Sequence, residues 1–318
     1  MRLIIAAMNT TRLYLLIPLI IAFSAIWSSA FIGGKIAVHE LPPMLVLTAR
    51  FLLSCLVMLP LCLGNICSLL DPGVIRTGLL LGLLNNALYL GLTFTSLHYI
   101  SAALVVVMVS CAPLITLLLS AVCRLEQLNR RTLLGITLGF AGVLIIVGLD
   151  AIRPDPLGIF LALLGTCAFA TGTVLFRGKA SGLPILQLNF WQSAAGVMAL
   201  APLTLLTSDT ELTPSPASIW AILYLAIIVT MGGTALWLLL IRISGAATAS
   251  SYHLLNPFFG VLLSHWVLGT PLQPHAFAGA IVIAIGLSLT VRPRRNTVYE
   301  PASQGISRHP HDDVSRSG

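Results

Sequence analysis

A block of this chain returns 144 residues after it first appears. Ser101-Ala102-Ala103 comes back as Gly245-Ala246-Ala247, Pro113 as Pro257, and Gly135 and Gly142 as Gly279 and Gly286. Proline, glycine and small residues kept in step at one offset mark an internal duplication. The chain therefore has to fold as two like halves.

The residues between these markers fix the solvent. Of 318 residues, 57% are hydrophobic and 8% charged, whereas a water-soluble domain carries about a quarter charged residues. That leaves too little polar surface to cover such a core in water, so lipid is the solvent. The net charge of +7 would suit nucleic acid only if the basic residues clustered on a soluble face. They sit instead at the ends of apolar runs, which argues against nucleic acid and for membrane lipids as the partner. The six cysteines form no Cys-x-x-Cys and no Cys/His ligand set. Inside apolar runs a thiol packs as a small hydrophobe, so neither a metal nor a cofactor is expected.

Ten runs are long enough to cross a hydrocarbon layer of about 30 Å as helices: 13–34, 43–63, 74–96, 101–122, 132–149, 157–176, 185–206, 218–240, 246–267 and 275–291. Turn chemistry separates them, as at Pro42-Pro43, Asp71-Pro72-Gly73, Pro154-Asp155-Pro156 and Thr213-Pro214-Ser215-Pro216. The first run is too long for a cleaved signal peptide. Residues 1–12 read as a cytoplasmic lead-in, 13–149 as the first five-helix repeat, 157–291 as the second, and 292–318 as a polar, disordered tail. Of the 17 Lys and Arg, Lys35 and Arg153 fall on one side and Arg50 lies inside a span; all the others fall on the side of the termini. Basic residues stay cytoplasmic, so both termini are inside. Five is an odd number, so the second repeat enters from the opposite face. The expected fold is an all-α membrane protein of ten transmembrane helices in two inverted five-helix repeats.

With the repeats placed, the chain resembles the drug/metabolite transporter superfamily, and within it the EamA-type ten-helix carriers. The likeness rests on Gly34-Lys35 and Gly178-Lys179 at the ends of the first and sixth helices, Ala49-Arg50-Phe51, Tyr89, Ser101-Ala102-Ala103, Pro113, Glu126, Gly135 and Gly142. It covers about residues 13–291. One departure is Gly269-Thr270-Pro271, where the family has Gly-Glu after the ninth helix. The resemblance implies a carrier of the bacterial inner membrane that exports amino acids, related metabolites or drugs.

Arg50 is the deepest charge, seven residues past Pro43 and so roughly 10 Å into the membrane. A charge there costs about 2.5–3.5 kcal/mol on insertion scales, so it should face a cavity or a partner. It either grips a substrate carboxylate through two parallel hydrogen bonds or snorkels to headgroups and ties down a carbonyl. Its repeat counterpart is Trp191. Asn85, Asn86, Tyr89, Thr93 and Ser96 form a polar stripe on the third helix, and Thr230, Gly233, Thr234 and Trp237 form one on the eighth. Tyr252, His253 and Asn256 lie on the ninth, just before Pro257. These groups either line the substrate path or bond helix to helix. Trp27, Trp191, Trp237 and Tyr252 are candidates for an apolar wall. Pro113 and Pro257 each remove a helix hydrogen bond and are candidate hinges. Glu126, near Arg124, Arg130 and Arg131, reads as a cytoplasmic charge pair.

No acidic pair lies inside a span and no His-Glu-x-x-His occurs, which removes the usual equipment of an intramembrane lipid-modifying enzyme. The sequence reads as an exporter of amino acids or related small metabolites working by alternating access. A drug or quaternary-amine efflux carrier is the alternative. Facilitated diffusion fits the absence of intramembrane carboxylates, with His253 the one modest candidate for proton coupling. Topology is directly testable: a cysteine replacing Ser208 should label with an impermeant maleimide from outside and one replacing Ser303 only after permeabilisation. Both on one face would overturn the orientation.

Overall fold

The computed structural model describes residues 2–96, 99–100, 102–148, 155–207, 214–269 and 271–290. The tail 292–318, Ser101, Arg153, Ser208 and Thr270 lie outside the described residues. Among the described residues the regular structure is helical, with no strand. We number the helices α1 (Arg2–Val38), α2 (Pro43–Leu63), α3 (Pro72–Ser96), α4 (Ala102–Val109 and Ala112–Val122), α5 (Arg130–Val147), α6 (Pro156–Ala180), α7 (Ile185–Thr207), α8 (Pro216–Ser244), α9 (Ala246–Ser251, Tyr252–Leu255 and Asn256–Leu268) and α10 (Pro274–Thr290). Seven of them, α1 to α6 and α8, hold a stretch long and apolar enough to cross a membrane; α10 is a shorter apolar helix.

Helices begin where a side chain takes over the first orphan N–H groups, which is earlier than the apolar run itself. Asp71 accepts from the N–H groups of Gly73 and Val74, Asn129 from Arg131, Asp155 from Gly158, and Ser215 from Ser218. Pro72, Pro156 and Pro216 follow three of these caps, where a missing N–H costs nothing. Hydropathy alone therefore placed the starts of α3, α5, α6 and α8 one or two residues late. The residues expected as a lead-in continue α1 back to Arg2 without a break. Gly34-Lys35 and Gly178-Lys179 do not end their helices, which run on to Val38 and Ala180.

The helices pack in matched sets. α5 lies along α10, and α2 along α7. α3 meets α6 and α7, as α8 meets α1 and α2; α4 meets α6, as α9 meets α1; and α4 meets α9. Gly135 and Gly286 are so close that a β-carbon on either would come within 2.5 Å of the other's carbonyl oxygen.

Glu126 does not act as a charge pair. Its two carboxylate oxygens accept the N–H groups of Ala246 at 2.5 Å and Ala247 at 3.3 Å, capping the start of α9 from the turn after α4. Glu40, after α1, does the same for α8: it accepts from the Ser215 N–H at 2.9 Å and the Ser218 hydroxyl at 2.7 Å. The Ser215 N–H, with help from Ser218, holds the Glu40 carboxyl below its ordinary range. This tie is complete above the ordinary glutamate value, about pH 4.3, and is lost as pH falls through the lowered folded value.

The α5–α10 seam gives a stability test. Gly286→Ala puts a β-carbon against backbone atoms of Gly135 and Gly139, and should cost about 1–3 kcal/mol by forcing the helices apart. Gly260→Ala, with open space around it, should not destabilise. Thermal unfolding in detergent measures both.

Candidate functional site

Pro257 sets the local geometry of α9. It has no N–H for the His253 carbonyl, and the Asn256 N–H takes that oxygen instead in a tighter i→i+3 bond. The result is a 3-10 turn over Tyr252–Leu255, in which side chains three apart eclipse one another. Asn256 thus lies over His253, and its Nδ2 approaches His253 Nδ1 at 2.9 Å. The Ser28 hydroxyl holds the Asn256 carbonyl at 3.0 Å.

Four aromatic rings surround the imidazole of His253. Trp237 of α8 lies 4.6 Å away between centroids, Phe23 of α1 at 4.9 Å, Phe169 of α6 at 5.1 Å and Trp27 of α1 at 5.2 Å. All four stand edge to face with it, at interplanar angles of 69° to 86°. Phe23 and Phe169 both stack on Trp237, and Tyr89 of α3 closes on Phe169 at 4.8 Å. Five helices each put an aromatic ring or the imidazole into this one box. His253 is 5% exposed, and its Nε2 is buried without a hydrogen-bond partner.

Arg50 occupies a second place. It is 9% exposed, lies between α2 and α8, and donates through Nε to Thr230 Oγ1 at 3.0 Å. Its guanidinium lies 5.2 Å from the Phe51 ring centroid, near enough for a cation–π contact. Thr230 lies in a π-helical stretch of α8, Leu225–Gly233. Asn189 of α7 donates to the carbonyls of Thr230 at 3.1 Å and Met231 at 2.9 Å. Thr230 and Trp237 are seven residues apart on α8, so the points at which Arg50 and the aromatic box meet that helix are about 10 Å apart along it.

The predicted residues thus sort into different places. Trp27, Tyr89, Trp237, His253 and Asn256 come together. Asn85 and Asn86 pair with Gln192 of α7, Asn85 through the Gln192 side chain at 3.2 Å and Asn86 through its carbonyl at 2.8 Å. Thr93 and Ser96 bond only to carbonyls of their own helix. Trp191 stands outside the box: its indole N–H donates to the Leu69 carbonyl at 2.9 Å and pins the short helix Ile66–Leu69. Tyr252 points away too, its hydroxyl bonding Ser244 at 2.9 Å. Pro113 and Pro257 both stand at the start of a fresh helical piece. Phe23, Phe169, Asn189 and Gln192 are missing from the sequence reading. Phe23 is one turn from Trp27 on the same face of α1, a signal that was there to use.

The family model for the EamA-like transporter family matches twice, over residues 15–148 and 156–292. The chain belongs to the EamA-like transporter family. It is 29% identical over 284 residues to the inner membrane transporter YedA of Escherichia coli K12, covering 86% of this chain and 90% of YedA. A Salmonella typhimurium protein named "Probable amino-acid metabolite efflux pump" is 26% identical over 279 residues, 84% of this chain and 91% of that one. One solved crystal structure, 18% identical, superposes with a TM-score of 0.73 over 85% of this chain and 94% of the other; that likeness concerns the fold.

The Asn85–Gln192 contact makes a prediction about this EamA-family core. Gln192→Leu removes the one partner of the Asn85 side chain and should cost about 1–3 kcal/mol, the penalty for an orphaned buried polar group. Thermal unfolding of the purified variant reads it.

Proposed function

We propose that this protein is a multi-pass inner-membrane exporter of amino acids or related small metabolites, working by alternating access and not by catalysis. Ten membrane-crossing helices in two inverted halves are the architecture for it. The twice-matched family model and the paired helix contacts, in which α3–α6 has its counterpart in α8–α1 and α4–α6 in α9–α1, support that arrangement. The cytoplasmic termini follow from the distribution of Lys and Arg.

The observation that carries the reading is the box around His253. Aromatic rings and one imidazole from five helices meet there, and a polar atom is left unpaired among them. A buried polar group without a partner is costly, and a passing cargo can satisfy it. Arg50, with no intramembrane carboxylate to neutralise it, attracts an anionic group. The carboxylate of a small cargo meets Arg50 at one stage of passage and the aromatic box at another, since their contacts on α8 are about 10 Å apart along that helix. The names of YedA as an inner membrane transporter and of the Salmonella protein as an amino-acid metabolite efflux pump agree with this. The rings themselves favour a second reading, a quaternary amine held against their faces.

Purified protein in liposomes tests both. Labelled amino acids should exchange across the bilayer, Arg50→Ala should slow that exchange about tenfold, the worth of one charge-assisted hydrogen bond, and Trp237→Ala should slow it as well. Parent-like exchange by Arg50→Ala would remove the carboxylate role. Exchange of a labelled quaternary amine in place of amino acids would establish the second reading.

A further inference from the structure

The polar pair on α9 has a defined handedness of donors and acceptors. The Asn256 Nδ2 is a donor only, and it sits 2.9 Å from His253 Nδ1, so Nδ1 is the accepting nitrogen. A neutral imidazole with an accepting Nδ1 carries its proton on Nε2. Nε2 is buried without a partner, as is the Asn256 Oδ1 beside it, and the imidazole that carries Nε2 packs against Phe23, Trp27, Phe169 and Trp237. The 3-10 turn at Pro257 eclipses Asn256 with His253, and Ser28 bonds the main-chain carbonyl of Asn256, so the backbone that presents the amide is held in place.

We propose that Asn256 is a positioning residue that fixes His253 as the Nε2–H tautomer, so that the aromatic box offers its cargo one hydrogen-bond donor and selects a flat or apolar cargo bearing an acceptor, a carboxylate or carbonyl oxygen. This rests on the box being the cargo site. The first repeat has nothing of the kind: at the fixed offset of 144, Val109 stands for His253 and Ala112 for Asn256. The donor is therefore offered by one half only, and the box discriminates cargo by the sign of the group it brings. A donor-only group such as an ammonium meets a like donor at Nε2 and is disfavoured, although the ring faces alone would accept it.

The test inverts the pair. Asn256→Asp replaces the donor with an acceptor-only carboxylate, which takes the proton onto Nδ1 and leaves a lone pair at Nε2. Asn256→Ala removes the donor without adding charge. Nitrogen NMR of 15N-histidine protein in detergent, with the His253 signal assigned by loss in His253→Gln, reads the tautomer directly. Binding of 3-phenylpropionate and of phenethylamine reads the selectivity. The parent should show a protonated Nε2 and bind 3-phenylpropionate at least tenfold tighter than phenethylamine. Asn256→Asp should show a protonated Nδ1 and reverse the preference, and Asn256→Ala should bring the two probes near parity. A protonated Nδ1 in the parent overturns the proposal. So does an unchanged preference in Asn256→Ala, which keeps the question decidable if Asn256→Asp does not fold. Parent protein that binds neither probe while its liposomes still exchange amino acids overturns the box as the cargo site and leaves the transporter reading standing. Failed exchange with the tautomer and selectivity as stated overturns transport alone and upholds the donor.

Discussion

Inside hydrocarbon no water is at hand to pair a backbone N–H or C=O, so each departure from the α-helix must be repaired by the protein itself. The helices of this chain depart from α-geometry in their middles, and the repairs organise the interior. In α8 the π-helical stretch loosens the ladder over Leu225–Gly233. Ser54 of α2 takes the Ala226 carbonyl, Asn189 of α7 takes those of Thr230 and Met231, and the Thr230 hydroxyl takes that of Leu225. Three helices are thereby stitched at one level. Arg50 joins the same seam through Thr230. In α9 the lost bond is the one Pro257 cannot make, and its repair is the turn that aligns His253 with Asn256.

The same frame holds different chemistry in its two halves. Pro113 and Pro257 each stand second in a helical piece that follows a break, with an i→i+3 bond beside each: Cys111 N–H to the Met108 carbonyl in the first half and, one residue out of register with it, Asn256 N–H to that of His253 in the second. The backbone event is shared, while the side chains it aligns are apolar in one copy and polar in the other. Glu126 makes a similar point. It caps α9 at Ala246 and Ala247, and its own counterpart at the repeat offset is Thr270, which has no carboxylate to return the cap to α4. Duplication supplies a scaffold of matched contacts; divergence at a few positions makes the two halves chemically unlike.

The scaffold was legible in the sequence because lipid imposes it. Apolar length, cap residues and the fixed offset located most helical runs to within a few residues; the exceptions are the starts that caps set ahead of the hydropathy and the front of α1, which extends eleven residues earlier than its apolar run. The site was legible only in part. His253, Asn256, Trp27 and Trp237 stood out as polar or bulky groups in apolar runs, and they do meet. Trp191 stood out for the same reason and is used elsewhere, tying down Leu69. Phe169 and Gln192 did not stand out, because a phenylalanine is ordinary in an apolar run and Gln192 lies within α7 away from the polar stripes of the third, eighth and ninth helices. Which face a residue takes is decided by neighbours far along the chain, such as Gly172, whose missing side chain lets Asn85 lie against α6. Periodicity within one helix carries no record of that.

Arg50 and His253 were both expected along the substrate path, and their attachment to different helices bears on what they can do together. Their contacts on α8, Thr230 and Trp237, are seven residues or about 10 Å apart along that helix, which argues against both gripping one small carboxylate at once. Arg50 is permanently charged and its attraction is long-ranged in low dielectric; the His253 donor acts only in contact. On the proposed reading, an anionic cargo drawn toward Arg50 sheds part of its hydration before it reaches His253, where aromatic rings replace the remaining water. Neither group alone needs to bind tightly, and a carrier gains from that, since a cargo held hard at any one stage is released slowly. The bonds that Thr230 and Asn256 make to these two side chains therefore matter as much as the charges, for they keep each group waiting in place without neutralising it.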